Sequence, residues 1–193
     1  MEIENKNEEI KRVAIFIDGS NFYYKLRAFG ISNATYFRYG DFASWLANGR
    51  EIMDKRYYVG VVRAKENDEK GQKMRRNQRK LFNNLSSKKC GFIIERGYLM
   101  ENDGVFHEKG VDVKIAVDIL VGAYENLYDV AILVSSDTDL IPAIEKARTL
   151  GKEVEYIGFS NKPSFGLIKN ANETRLLMKN EVEQFQMLKP DSE

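Results

Sequence analysis

Asp18, Asp112, Asp137 and Asp139 stand where a folded chain could bring several carboxylates to one edge. Asp18 follows directly on the apolar run Val13-Ala14-Ile15-Phe16-Ile17, and Asp137-Thr138-Asp139 follows closely on Val130-Ala131-Ile132-Leu133-Val134. Asp112 comes just after Lys109-Gly110-Val111, where a helical pattern begins. Carboxylates gathered at one place repel one another unless protons or cations neutralise them. Oxygen donors without His or Cys suit hard cations, here Mg²⁺ or Mn²⁺. Such a site polarises a phosphoryl group and activates a water for in-line attack on a phosphodiester. The sole histidine, His107, lies outside these motifs and reads as a loop residue, so a metal-bound water is the better nucleophile.

Taken singly, each aspartate has a plain structural explanation. Asp112 reads as an N-cap, as does one of Asp137 and Asp139, and Asp18 reads as a turn residue beside Gly19. Their common placement is what points to a site. Asn21 either orients a ligand or makes ordinary helix-start hydrogen bonds. Asp118 is six residues beyond Asp112, roughly 120° around a helix, and is expected in a supporting role with Ser135.

The elements that must position these residues alternate between short apolar runs and longer helical patterns. Strands are expected over 13–17, 57–63, 92–95, 130–134 and 154–157, with a hairpin or an irregular excursion over 98–106. Helices are expected up to about residue 29 and over 41–47, 70–89, 112–124, 140–150, 164–170 and 181–188. In 70–89, Met74, Leu81, Phe82 and Leu85 supply the buried stripe. Strands separated by helices imply crossover connections, and thus an α/β fold with three layers and a mainly parallel central sheet. Ligand sites in such sheets lie beyond the carboxyl ends of the strands, where the strand order reverses.

Bulk properties set limits. The 193 residues, 43% hydrophobic, suit one packed domain, expected over 12–178 between a polar extension (1–11) and a C-terminal helix and tail (179–193). The 30 basic and 29 acidic residues nearly cancel, so a polyanion must be met by a local patch. Cys90 alone can form neither an intrachain disulfide nor a thiolate cluster and reads as a packing residue. There is no secretion-type or membrane-spanning apolar stretch, which leads us to expect a cytoplasmic protein with no membrane partner. G-x-x-x-x-G-K-[ST] and G-x-G-x-x-G are both absent.

Three blocks, FIDGSNFYYKL at 16–26, KGVDVKIAVDIL at 109–120 and DVAILVSSDTDLIPAIEKARTLGKEVEYIG at 129–158, resemble in order the NYN-domain family of the PIN-like nuclease superfamily. The resemblance covers nearly all of 12–178. It implies a PIN-like fold and a metal-dependent nuclease, usually acting on RNA, with Asp18, Asp112, Asp137 and Asp139 as its acidic, metal-holding site and Asn21 beside the first. Ser136 replaces the glycine usual in S-G-D-S-D, and Asn172 stands where relatives often carry aspartate.

Between Arg63 and Lys80, eight basic residues face three acidic ones, a local excess of five. Arg75, Arg76 and Arg79 fall close together on the expected helix and either hold phosphates or form a solvated face. Lys109 is a further candidate for RNA contact. Tyr23, with Tyr24, either stacks on unpaired bases or packs in the core. The expected function is a divalent-metal-dependent endoribonuclease acting on single-stranded rather than duplex RNA. The rivals are an RNA-binding or regulatory module without catalysis and a phosphatase for small phosphoesters. The oligomeric state stays open, a homodimer included.

Overall fold

The computed structural model describes residues 10–31, 34–62, 64, 67–102 and 105–187. Arg63, Lys65 and Glu66 of the basic segment, the Asp103-Gly104 turn, Leu188 and both chain ends lie outside them.

One seven-stranded sheet organises the chain, in the order β4-β3-β2-β1-β5-β6-β7. Its strands are β1 (Arg12–Asp18), β2 (Glu51–Val61), β3 (Ile93–Asn102), β4 (Val105–Lys109), β5 (Val130–Val134), β6 (Glu153–Phe159) and β7 (Glu173–Leu177). All neighbouring pairs are parallel except β3 with β4, where Tyr98 faces Lys109 and Asn102 faces Val105. His107 therefore lies in a strand rather than in a loop. Two elements exceed the sequence reading. β2 starts at Glu51, because its first half is only half-buried and lacks a strongly apolar run. β7, with the pattern ETRLL, is an edge strand with polar residues outward.

The helices are α1 (Gly19–Ala28), α2 (Tyr39–Ala47), α3 (Glu69–Leu85), α4 (Val111–Tyr124), α5 (Ile141–Thr149), α6 (Phe165–Asn170) and α7 (Lys179–Glu183). The expected helix over 140–150 is divided into a 3-10 turn (Thr138–Leu140) and α5, with Pro142 in the first turn of α5. Alternation along the buried strands sorts the layers. Val13, Ile15 and Ile17 face an aromatic-rich cluster with Phe22, Phe42 and Leu85, under α1, α2 and α3. Ala14 and Phe16 face the opposite cluster with Ile115, Ile144 and Leu167, under α4, α5 and α6. Cys90 is buried, its thiol 3.4 Å from Asn84 Oδ1, as a packing residue should be. Among the described residues no helix is long and apolar enough to cross a membrane.

Met74 is exposed, against the expected stripe, and the reason fixes the height of α3. The Gln78 side chain donates to Gly60 O at 2.7 Å and accepts from Val62 N–H at 2.9 Å, so the middle of α3 is pinned at the carboxyl end of β2. The nine residues before Gln78 then lie above the carboxyl end of β2, where Met74 is 43% exposed.

α4 is fastened to the sheet by polar groups as well as by its apolar face. Arg56 on β2 donates from Nε to Asp54 at 2.6 Å and pairs through its Nη1 with Asp118 of α4 at 3.0 Å. Tyr58 donates to Asp118 at 2.9 Å, and Lys114 pairs with Glu95 at 3.2 Å. Burial works against the Arg56 cation, but Asp54 and then Asp118 more than offset it and hold the guanidinium protonated above its ordinary range. Burial, reinforced by Asp118, pushes the Tyr58 phenol well up. At the opposite end of the sheet, Arg12 holds Asp129 through bonds of 2.8 and 3.2 Å and a backbone bond of 2.8 Å. The Arg12 hydrogen bond brings the Asp129 carboxyl down to about 2.

Two predictions follow from these attachments. Asp118→Ala leaves Arg56 and the buried Tyr58 hydroxyl short of a partner, so it should lower unfolding free energy by about 1–3 kcal/mol in denaturant titration. Asp129 has a depressed folded pKa, against about 3.9 when unfolded, so its contribution is complete above about pH 4 and lost as pH falls through about 2. Asp129→Asn should therefore be less stable than wild type at neutral pH, and the two melting curves should converge near pH 2.

Candidate active site at the carboxyl rim

The parallel strands run outward from β1 in opposite orders, β2 and β3 on one side and β5, β6 and β7 on the other, so the order reverses between β1 and β5. A crevice opens beyond their carboxyl ends at such a point, because the two following chains leave to opposite sides. Asp18 ends β1, and Ser135 follows β5. Alternation turns both toward the α4 face.

Asp18 is buried and doubly engaged. One carboxylate oxygen caps α1 by accepting from Asn21 N–H at 3.0 Å, and the other accepts from the Ser135 hydroxyl at 3.0 Å. Ser135 Oγ in turn accepts from Asp137 N–H at 3.1 Å. Asp137 caps the 3-10 turn through Asp139 N–H at 2.9 Å. The bond that Asn21 contributes comes from its backbone, the ordinary helix-start bond. Gly19 is required by space: a Cβ there would lie 2.3 Å from the Tyr57 ring and 2.6 Å from Tyr58 O. The tight exit from β1 thus holds Asp18 against the sheet edge.

α4 brings Asp112 to the same rim. Its N-cap is Gly110, with φ +77°, a left-handed conformation that glycine adopts without penalty. Asp112 is therefore not the cap but a first-turn acid, where the helix dipole favours negative charge. α4 packs against β1 and the 3-10 turn, and Asp112 is half-buried. Asp118 lies about 9 Å further down the helix on the other flank, in the Arg56 network and away from the rim.

The four aspartates thus share one rim, but they do not close on one point. Among the described residues no three His, Cys, Asp or Glu side chains group closely enough to hold a metal ion. The expected four-carboxylate shell is more open than the sequence suggests, because neutral donors engage the acids separately: Ser135 and Asn21 for Asp18, and Asp139 N–H for Asp137. Asp139 itself is exposed. The donor chemistry still suits a hard cation. Mg²⁺ commonly keeps several waters and takes one or two carboxylates plus phosphate oxygens. Ser135 links the Asp18 carboxylate to the backbone N–H of Asp137 at this edge. Next to them, Ser136 Oγ is buried without a hydrogen-bond partner, alone in this among the described side chains.

The candidate RNA-contact residues are all at the surface. Arg75, Arg76, Arg79 and Lys109 are exposed, the first two on the part of α3 that rises above the rim. Tyr23 and Tyr24 are exposed, 5.6 Å apart edge to face, with the Arg27 guanidinium 5.8 Å from the Tyr23 ring centre, so neither belongs to the core. Phe165 was not anticipated. It is 79% exposed at the start of α6, and the neighbouring Gly166 sits against Thr138, between Asp137 and Asp139 in sequence. Nothing local in Lys162-Pro163-Ser164-Phe165-Gly166 distinguishes an exposed phenylalanine from a buried one. Asn172 lies at the far edge, accepting from Val154 N–H at 2.9 Å, so its difference from aspartate leaves the rim untouched.

No curated protein matches the chain. Among solved structures, a protein of unknown function from Vibrio parahaemolyticus RIMD 2210633 shares the fold, with a TM-score of 0.61 and 24% identity over 89% of this chain and 96% of that one. The NYN domain model matches residues 12–177, a span containing every strand and the whole acidic rim. The chain belongs to the NYN domain family, within the PIN-like nuclease superfamily.

Proposed function

We propose that this protein is a divalent-metal-dependent ribonuclease that cleaves single-stranded RNA at the carboxyl rim. The observation that carries the reading is the Asp18–Ser135–Asp137 linkage at the strand-order reversal of a NYN domain. Asp18 and Asp137 would hold Mg²⁺ or Mn²⁺, with Asp112 and Asp139 adding negative potential around it. A cation there supplies Lewis-acid polarisation of the scissile phosphate and a more acidic water. The Ser135 hydroxyl and the Asn21 N–H each hold one Asp18 oxygen and so fix the orientation of the carboxylate. Arg75 and Arg76, above the rim, supply positive charge for the flanking phosphates. Tyr23 and Phe165 offer exposed rings for unpaired bases, which favours single strands over duplex.

The openness of the acidic rim supports a second reading, an RNA-binding module of the same fold without catalysis. Cleavage of labelled single-stranded RNA decides between them. Wild type should cut only with Mg²⁺ or Mn²⁺, and Asp18→Asn should reduce the rate by at least about 10²-fold. The same cations should raise the melting temperature of wild type and not of Asp18→Asn/Asp137→Asn, since only a ligand of the folded state stabilises it. RNA binding without cleavage under any of these conditions would establish the second reading.

The arginines have a separate signature. Arg75→Glu/Arg76→Glu should weaken RNA binding and flatten the plot of log affinity against log salt by about 0.7 for each lost phosphate contact. Cleavage should fall mainly at low RNA concentration, because uniform binding energy is what is lost. An unchanged salt slope would show these arginines to be a solvated face.

A further inference from the structure

α4 is apolar on both of its faces. Val111, Ile115, Ile119 and Ala123 are buried against the sheet. Diametrically opposite, Val113, Val117, Val121 and Tyr124 form a solvent-facing stripe between 43% and 60% exposed. The charged residues flanking this stripe are engaged elsewhere, Lys114 with Glu95 and Asp118 with Arg56. A helix that is hydrophobic all round is normally buried all round, yet the valines of this stripe stay exposed, with the Lys146 ammonium of α5 5.8 Å from the Tyr124 ring centre at its end.

We propose that the outer face of α4 is a self-association surface on which two copies of this chain pair, helix against antiparallel helix, about a two-fold axis. Neither end of the chain matches the stripe. The first nine residues, MEIENKNEE, hold only Met1 and Ile3 as apolar side chains. Met187 lies on the opposite face of the sheet, where its N–H bonds Tyr36 O at 2.8 Å. A second α4 matches it in length, chemistry and charge. With the axis between Val117 and Val121, each Val117 meets the partner's Val121, and each Val113 lies beside the partner's Tyr124. Antiparallel pairing also opposes the helix dipoles and sets Lys114 near the exposed Glu125 of the other copy. The four side chains of the stripe expose on the order of 400 Å² on each copy, so pairing would bury about 800 Å² in total, below the ~1,000 Å² expected of a specific interface, and the dimer is a weak one. The surface does not depend on the nuclease reading, and the two stand or fall separately.

Sedimentation velocity over a concentration series, up to about 1 mM, tests the pairing. Wild type should shift from the 22.3 kDa monomer toward twice that mass. Val117→Glu should raise the dissociation constant at least about tenfold with an unchanged melting temperature, since the residue is exposed. Val117→Lys/Val121→Glu should restore the dimer, because the two-fold sets each lysine against the partner's glutamate. A wild type that remains monomeric throughout, even one that binds some other protein through this stripe, overturns the proposal. So does a dimer indifferent to Val117→Glu, or one that the double variant fails to restore.

Discussion

The carboxylate of Asp18 carries two obligations at once. It must end a buried parallel strand and start a helix, so one oxygen satisfies an orphan N–H of α1. It must also join the two halves of the sheet at the reversal of strand order, where its other oxygen takes the hydroxyl of Ser135. A buried carboxylate is tolerable only when hydrogen-bonded, and these two donors are neutral. These two bonds offset part of what burial costs the carboxylate. The same two bonds fix the carboxylate at the point where the strand order reverses.

Elsewhere the protein treats carboxylates differently. Asp118, Glu95 and Asp54 surround Arg56, and Asp129 and Glu155 each have an arginine of their own. These acids attach helices and strands to one another and are neutralised where they sit. Asp18 and Asp137 instead accept hydrogen bonds from hydroxyl and amide groups. The contrast separates acids that hold the fold from acids that leave a negative potential at one edge, and it explains why Asp112 and Asp118, on the same helix, belong to different networks.

Above that edge, the height of α3 matters more than its composition. The clamp of Gln78 on Gly60 and Val62 sets the first half of the helix above the carboxyl end of β2, where most of its side chains are exposed. Exposed helical side chains must be polar to be stable in water, and here they are largely cationic. The basic character of residues 70–80 is thus consistent with both solvation and phosphate binding, and its position above an acidic rim is the part that suits a polyanion.

Much of this was legible in the chain itself. Runs of β-branched and aliphatic residues mark β1 and β5 because strands buried on both faces have no alternation to obscure them. Asp18, Asp112 and Asp137 could be placed at one edge because parallel strands joined by helices must all point the same way. The 120° offset of Asp118 from Asp112 follows from helix geometry alone, and the tertiary structure agrees with it. β7 and the first half of β2 were not legible, since edge and half-buried strands carry polar residues that resemble loops. Nor did spacing reveal that Ser135 bridges Asp18 to the Asp137 turn, that neutral donors keep the acids apart, or that Phe165, Tyr23 and the outer valines of α4 lie in solvent. Sequence periodicity reports which residues share a face, but exposure and distance depend on what packs against that face, and only the assembled layers decide that.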